Sequence, residues 1–278
     1  MDIIHSVADL RRRLAGERAT VLVPTMGNLH EGHLSLVREG LKRGGPVVVS
    51  IFVNRLQFLP HEDFDRYPRT LKSDAEKLAA LGPVIVFAPD EREMYPEPQT
   101  FRVVPDPAIA DLLEGAFRPG FFTGVATVVA KMFGLVQPAT AIFGKKDYQQ
   151  LLVIRRMVQQ LAMPVEIVAG ETCRAGDRLA LSSRNGFLDP WQRSEAPALA
   201  ACLETFAAGV HAGEKAIGTL EAEATESLTA RGWQVDYITA RRRSDLAPPP
   251  GADIRPGHLV ALGAARLGDT RLIDNLEF

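Results

Sequence analysis

At 278 residues, 46% of them hydrophobic, the chain can bury the core of one large domain or two smaller ones. A formal net charge of −2, from 32 Lys and Arg against 34 Asp and Glu, provides no basic footprint for nucleic acid or an anionic membrane. Its two cysteines, Cys173 and Cys202, lack CxxC spacing, which argues against a disulfide framework or structural zinc and for a reducing cytoplasm.

The opening "MDIIHSVADLRRRLAGERA" lacks the apolar run of a secretory signal. No stretch approaches the roughly 18 uninterrupted apolar residues of a membrane helix. The basic runs Arg11–Arg13 and Arg241–Arg243 read as solvated faces.

"TVLVPT" (20–25) predicts a strand and "HLSLVREGLKR" (33–43) a helix. A Val- and Ile-rich strand follows over 46–54, then a helix over 69–82 with glycine at its end, then a strand over 83–89. After an irregular stretch come a helix (124–136), a strand (139–144), a helix (147–162) and a strand (164–170). Nearly continuous apolar strands alternating with helices specify an α/β fold with a parallel sheet covered on both faces. Near Asn185 the rhythm changes. Two helical patterns, over 189–210 and 216–232, precede short strand-like segments and the turn-rich "APPPGADIRPG", so residues 1–185 and 186–278 read as two domains, the second smaller and α+β.

In such a sheet, ligands bind where strands run out at their carboxyl ends. The first strand is followed by Met26, Gly27, His30 and His33, the second by Asn54 and Gln57. The fourth runs into "GKKDYQQ" with Lys145, Lys146, Asp147 and Gln150; the fifth is followed by Cys173 and "ALSSRN". A helix N-terminus with unpaired amides attracts phosphate, glycine allows close approach, and imidazoles there can stabilise a leaving pyrophosphate. Zinc fits poorly, since His30 and His33 are three apart with no cysteine nearby. Lys146 is a point charge suited to phosphate, Asp147 a plain N-cap or a ligand contact, and "SSRN" a phosphate clamp or a polar turn. Neither GxxxxGK[ST] nor a strand-following GxGxxG occurs.

"PTMGNLHEGHLSLV" carries the HxGH signature of the nucleotidylyltransferase superfamily, and in this longer form resembles the pantoate–β-alanine ligase family. "VSIFVN…QF", "DFDRYPRT", "MYP", "FRPGFFTGV", "FGKKDYQQL", "LALSSRNGFL" and "RLGDTRLIDN" match in order, covering most of residues 20–190 and recurring at the C-terminus. The resemblance implies a Rossmann-like sheet domain with a smaller C-terminal lid domain, in a cytoplasmic homodimer. It implies ATP-dependent condensation of pantoate with β-alanine through pantoyl adenylate, assisted by Mg²⁺, with AMP and pyrophosphate released.

Position by position, it implies that Met26, Gly27, Asn28, Leu29, His30, Glu31, Gly32 and His33 line the nucleotide site. His30 and His33 would meet the phosphates, His33 as proton donor. Gly144, Lys145, Lys146 and Asp147 would hold ATP, with Lys146 on its phosphates and Cys173 at the adenine end. Leu181, Ser182, Ser183 and Arg184 would close over the triphosphate, Arg184 joining the catalytic set. Gln57 would bind pantoate and β-alanine, and Gln150 pantoate. The protein ligands of Mg²⁺ are not assigned. Three residues depart from the family: Arg55 for proline, Phe121 for histidine and Arg178 for glycine. A nucleotidyltransferase that stops at AMP transfer is the neighbouring reading. The neutral amides of Gln57 and Gln150 disfavour it, because a phosphorylated substrate calls for Arg or Lys.

Overall fold

The computed structural model describes residues 1–59, 64–249 and 256–278. Asp63 of the "DFDRYPRT" block and residues 250–255 of the turn-rich stretch lie outside them. The chain forms two compact units, Met1–Lys145 with Val153–Glu171, and Lys146–Leu152 with Thr172–Phe278. The division therefore falls ahead of Asn185, because residues 172–182 fold back on themselves within the second unit. Arg174 bridges Ala180 in antiparallel fashion, and Leu181 N–H donates to the Cys173 carbonyl at 2.9 Å.

The first unit is a six-stranded parallel sheet of β1 (Asp2–Ile4), β2 (Val21–Thr25), β3 (Val47–Ile51), β4 (Ile85–Phe87), β5 (Thr140–Gly144) and β6 (Glu166–Gly170). Their order is β1-β4-β3-β2-β5-β6. The chain builds outward from β2 to β3 and β4 on one side and returns to β5 and β6 on the other. The topological switch point thus lies between β2 and β5, where open α/β sheets bind ligands.

Helices α1 (Val7–Arg13), α2 (Glu31–Leu41), α3 (Leu71–Ala79), α4 (Phe121–Val136) and α5 (Tyr148–Gln160) join the strands. Val21, Val23, Val47, Val49, Val86 and Ile142 pack with Leu36, Val37 and Leu78 into one cluster. Strands covered on both faces have no solvent side to leave polar, which is why they read as unbroken apolar runs.

Strand β1 and helix α1 were not anticipated. Three residues are too few to show a period, and β1 exists through its backbone pairing with β4. Ser6 starts α1 by accepting the Asp9 N–H, and Arg11–Arg13 lie exposed in its last turn, as read.

In the second unit α6 (Ala198–Ala212) and α7 (Ile217–Thr229) pack with an antiparallel sheet of β7 (Gln234–Arg242), β8 (Leu259–Leu267) and β9 (Thr270–Glu277). Leu203, Phe206, Leu228, Trp233 and Leu259 form its core. Arg241–Arg243 are not a solvated face. All three are half-buried, Arg242 pairing with Asp245 at 2.6 Å and Arg243 with Glu277 at 2.9 Å.

Glu195 accepts from Arg231 Nε at 2.6 Å and Nη2 at 2.7 Å, and from buried Trp233 Nε1 at 3.0 Å. The Arg231 hydrogen bonds hold its carboxyl below the usual glutamate range. A depressed folded-state pKa contributes stability that is complete above the ordinary value of about 4.3 and fades as pH falls through the folded one. Glu195→Gln is therefore expected to lose about 1 kcal/mol at pH 7, kept small because Arg231 is half-exposed, with the difference shrinking in acid. Thermal melts at pH 7 and below pH 4 check this; a constant gap refutes it.

Arg178, one of the three departures, has φ of 75°. It closes a turn by donating its N–H to the Ala175 carbonyl at 2.8 Å, and its guanidinium pairs with Glu204. Glycine there would relieve about 1–2 kcal/mol of left-handed strain. It would return about 0.5–1 kcal/mol in unfolded-chain entropy and lose an exposed ion pair. Arg178→Gly is expected to change stability by less than about 1 kcal/mol, readable by urea titration; a loss above about 2 kcal/mol would show that the arginine's contacts outweigh its strain.

Candidate active site

The two histidines after β2 cap helix α2 for each other. His30 is the N-cap, with φ −125° and ψ 174°, and its Nδ1 accepts the Gly32 N–H at 3.1 Å. His33, three residues on, accepts the His30 N–H on its own Nδ1 at 3.3 Å. This is the reciprocal arrangement of a capping box built from imidazoles, and it starts the helix at Glu31 rather than at 33. The ring centroids lie 4.0 Å apart.

Chemistry follows from the cap. A ring nitrogen that accepts a hydrogen bond carries no proton, so each neutral ring holds its proton on Nε2. The pair presents two N–H donors of fixed tautomer. The sequence suggested open helix amides, but Gly32 N–H is taken by His30 and His33 N–H bonds the His30 carbonyl at 2.8 Å. With these two amides engaged, the ring nitrogens add donors of their own to this terminus.

The loop before them is held from within. Gly27 has φ of 83° and Asn28 of 50°. A Cβ on Gly27 would sit 3.1 Å from Ile51 Cγ2 and 3.2 Å from Asp74 Oδ2, so glycine serves the turn here as well as any ligand. Asn28 N–H donates to Asp74 Oδ2 at 2.9 Å, Leu29 N–H to Oδ1 at 2.8 Å. Leu29 is 2% exposed and belongs to the core, its carbonyl accepting from Lys77 Nζ at 2.7 Å. Glu31 is exposed and pairs with Arg38. Asp74 was missed in the sequence, where it reads as one more polar residue of helix α3.

Gln57 lies in a 3₁₀ turn over Arg55–Gln57 that buried Asn54 caps. Asn54 Oδ1 accepts from Tyr95 Oη at 2.8 Å and Leu56 N–H at 3.3 Å. Its Nδ2 therefore donates, to Gln57 Oε1 at 3.1 Å and the Gly124 carbonyl at 3.3 Å. Gln57 Nε2 is left as the donor side, meeting Met26 Sδ at 3.2 Å. Burial pushes the Tyr95 phenol's pKa up, with Glu91 adding to the effect, so Tyr95 stays a donor at neutral pH. The relay Tyr95–Asn54–Gln57 fixes which end of the glutamine amide can donate.

Two departures sit beside this turn. Arg55 points outward, pairing with Glu91 at 3.1 Å and covering the Phe64 ring at 3.9 Å. Phe121 supports Arg118, whose guanidinium stacks on it at 3.8 Å and donates to the Gln57 carbonyl at 3.1 Å.

After β5, Gly144 ends the strand, and half-buried Lys145 pairs with Glu171 at 2.6 Å. In the second unit, Lys146 is half-buried with its Nζ 3.9 Å from Asp147 Oδ1, and Asp147 is exposed. Asn275 Nδ2 donates to the Lys146 carbonyl at 2.9 Å. Asp274, 4% exposed, receives both terminal nitrogens of Arg174 at 2.7 and 2.8 Å. These hydrogen bonds raise the pKa of Arg174. The terminal "IDN" block thus serves the turn after β5 and the hairpin carrying Cys173. Gln150 is half-buried, while Gln149 beside it is 3% exposed. Leu181 pairs with the Cys173 carbonyl, and Ser182 Oγ caps the 3₁₀ turn Ser183–Phe187 by accepting Arg184 N–H at 3.3 Å.

Among the described residues no three His, Cys, Asp or Glu side chains gather to hold a metal, and no helix is long and apolar enough to cross a membrane.

A sequence model described as "Pantoate-beta-alanine ligase" matches residues 2–277. The pantothenate synthetase of Leptothrix cholodnii is 61% identical over 285 residues, covering 100% of both chains. The crystal structure of pantothenate synthetase from Thermus thermophilus superposes with TM-score 0.93 at 45% identity, over 100% of this chain and 99% of that one. Pantoate-beta-alanine ligase from Francisella tularensis, complexed with beta-gamma ATP and beta-alanine, gives 0.84 at 31% identity over 100% and 97%.

Proposed function

The chain belongs to the pantoate–β-alanine ligase family and is a ligase, and from that premise we propose how its residues perform the reaction. ATP activates pantoate, whose carboxylate oxygen attacks the α-phosphorus while the bond to the β-phosphate breaks and pyrophosphate leaves with the electron pair. The amine of β-alanine then attacks the acyl carbon of pantoyl adenylate, loses a proton and expels AMP, giving pantothenate. No covalent enzyme nucleophile is needed; orientation and charge stabilisation suffice.

The observation that carries this reading is the reciprocal cap. It fixes Nε2–H donors on His30 and His33, suited to the charge that grows on departing pyrophosphate. His33 hands its proton toward that leaving group, and His30 steadies the phosphates. Met26 and Gly27 to His33, Gly144 to Asp147, Cys173, and Leu181 to Arg184 bind ATP, Lys146 and Arg184 countering phosphate charge. Gln57 and Gln150 hold pantoate by neutral amide contacts, Gln57 also meeting β-alanine. Among the described residues no cluster of carboxylates and imidazoles forms, and Mg²⁺ would ride on the nucleotide phosphates, offsetting their charge. The reading includes a cytoplasmic homodimer.

Pantoate labelled with oxygen-18 in its carboxylate tests the intermediate. Transfer of one labelled oxygen to AMP is expected; unlabelled AMP would exclude carboxylate attack on the α-phosphorus.

A further inference from the structure

In the turn where Gly27 and Asn28 take positive φ, the N–H groups of Asn28 and Leu29 converge on one concavity. Such a nest of N–H groups collects anions, in many proteins a phosphate. Here the anion is internal. The carboxylate of Asp74, fully buried, takes Asn28 N–H on one oxygen and Leu29 N–H on the other. Thr70 Oγ1 adds a hydrogen bond to Oδ2 at 3.0 Å and accepts Asn28 N–H at 3.1 Å.

An apolar residue would fill this position on the buried face of α3, where Ala75 and Leu78 are also buried. A carboxylate there costs desolvation free energy unless hydrogen bonds offset it. What it supplies in return is position. Asn28 and Leu29 directly precede His30, the N-cap on which both ring contacts depend. We propose that Asp74 is the positioning residue of the imidazole pair: by filling the nest it sets the entry of α2 and so the tautomer and aim of His30 and His33. The kinetic part of this inference rests on the function proposed above; the tautomer part does not.

Asp74→Asn and Thr70→Val test it, with nitrogen NMR of histidine-labelled protein beside kinetics. Asparagine keeps the shape but sets an N–H₂ group against a donor. Its folded variant is expected to lose about 10–100-fold in kcat for pyrophosphate release, as when catalytic groups are displaced by about an ångström. KM for β-alanine, which the proposed function places on Gln57 and not on the rings, is expected to change by less than about threefold. In the unmodified protein both neutral rings are expected as the Nε2–H tautomer; in Asp74→Asn they become mixtures of the two. Thr70→Val leaves the carboxylate and removes the hydroxyl, with a smaller loss in the same direction, and it decides the matter if Asp74→Asn fails to fold.

Wild-type kcat and unchanged ring nitrogens in a folded variant overturn the proposal. So does a loss of kcat with the ring nitrogens unchanged, since Asp74 would then act by another route. Absence of pantoate-dependent pyrophosphate release from the unmodified protein would defeat the functional reading instead, while the ring-nitrogen comparison would still decide the part played by Asp74.

Discussion

His33→Ala is expected to lower pyrophosphate release by about 10²–10³-fold, the usual worth of a transition-state donor, while leaving the protein folded. The structure separates the two consequences. Removing the ring deletes the acceptor for His30 N–H, a capping contact worth about 1 kcal/mol against a total stability of about 5–15. It also deletes the Nε2–H donor. His33→Glu restores the first and not the second, since glutamate is a normal partner in a capping box and its carboxylate accepts but does not donate. Its melting temperature is expected to recover toward wild type while its rate stays low. Near-normal pyrophosphate release from His33→Ala would show that the ring serves the helix alone.

Gly124→Ala is expected to disrupt the turn that carries Gln57. Helix propensity alone makes it stabilising, since alanine in a helix interior is favoured over glycine by about 1 kcal/mol. Packing reverses the sign. A Cβ at Gly124 would lie 2.0 Å from the Leu56 carbonyl oxygen, 2.5 Å from its carbon and 2.8 Å from Gln57 N. All three are backbone atoms, so no rotamer change relieves the clash, and the turn holding Gln57 must move. Asn54 Nδ2 bonds the Gly124 carbonyl, so the relay from Tyr95 moves with it. A loss of about 1–3 kcal/mol or more is expected. KM for pantoate is expected to rise roughly tenfold, the equivalent of about 1.4 kcal/mol. Thermal unfolding and pantoate saturation check both; wild-type values in each would mean that Gln57 does not depend on this close approach.

What the sequence made legible was what has a period or a local signature. Continuous apolar runs gave β2 to β5 because strands buried on both faces have no polar alternation to interrupt them, and the run over 164–170 gave β6, a half-buried edge strand. The histidine pair was visible because its spacing matches the first turn of a helix, although its capping role emerged only from the ring contacts. Strand β1 was invisible, since its existence depends on the distant β4, through the pairing of Asp2 with Ile85 and Ile4 with Phe87. Asp74 lies 46 positions from Asn28 and leaves no local trace of the nest it fills. The grip of Arg174 on Asp274, across 100 positions, is likewise tertiary, and it explains why residues 172–185 fold with the C-terminal unit. Arg241–Arg243 were misread because a charge run in sequence does not reveal a partner as distant as Glu277.

Pyrophosphate release from ATP and Mg²⁺, measured first with pantoate alone and then after β-alanine is added, decides whether the protein works in two steps. A burst limited to about one equivalent per site, becoming steady turnover with AMP formation once the amine arrives, is the expected result. Steady release that needs no amine would contradict the two-step ligation and mark a transferase that stops at the nucleotide.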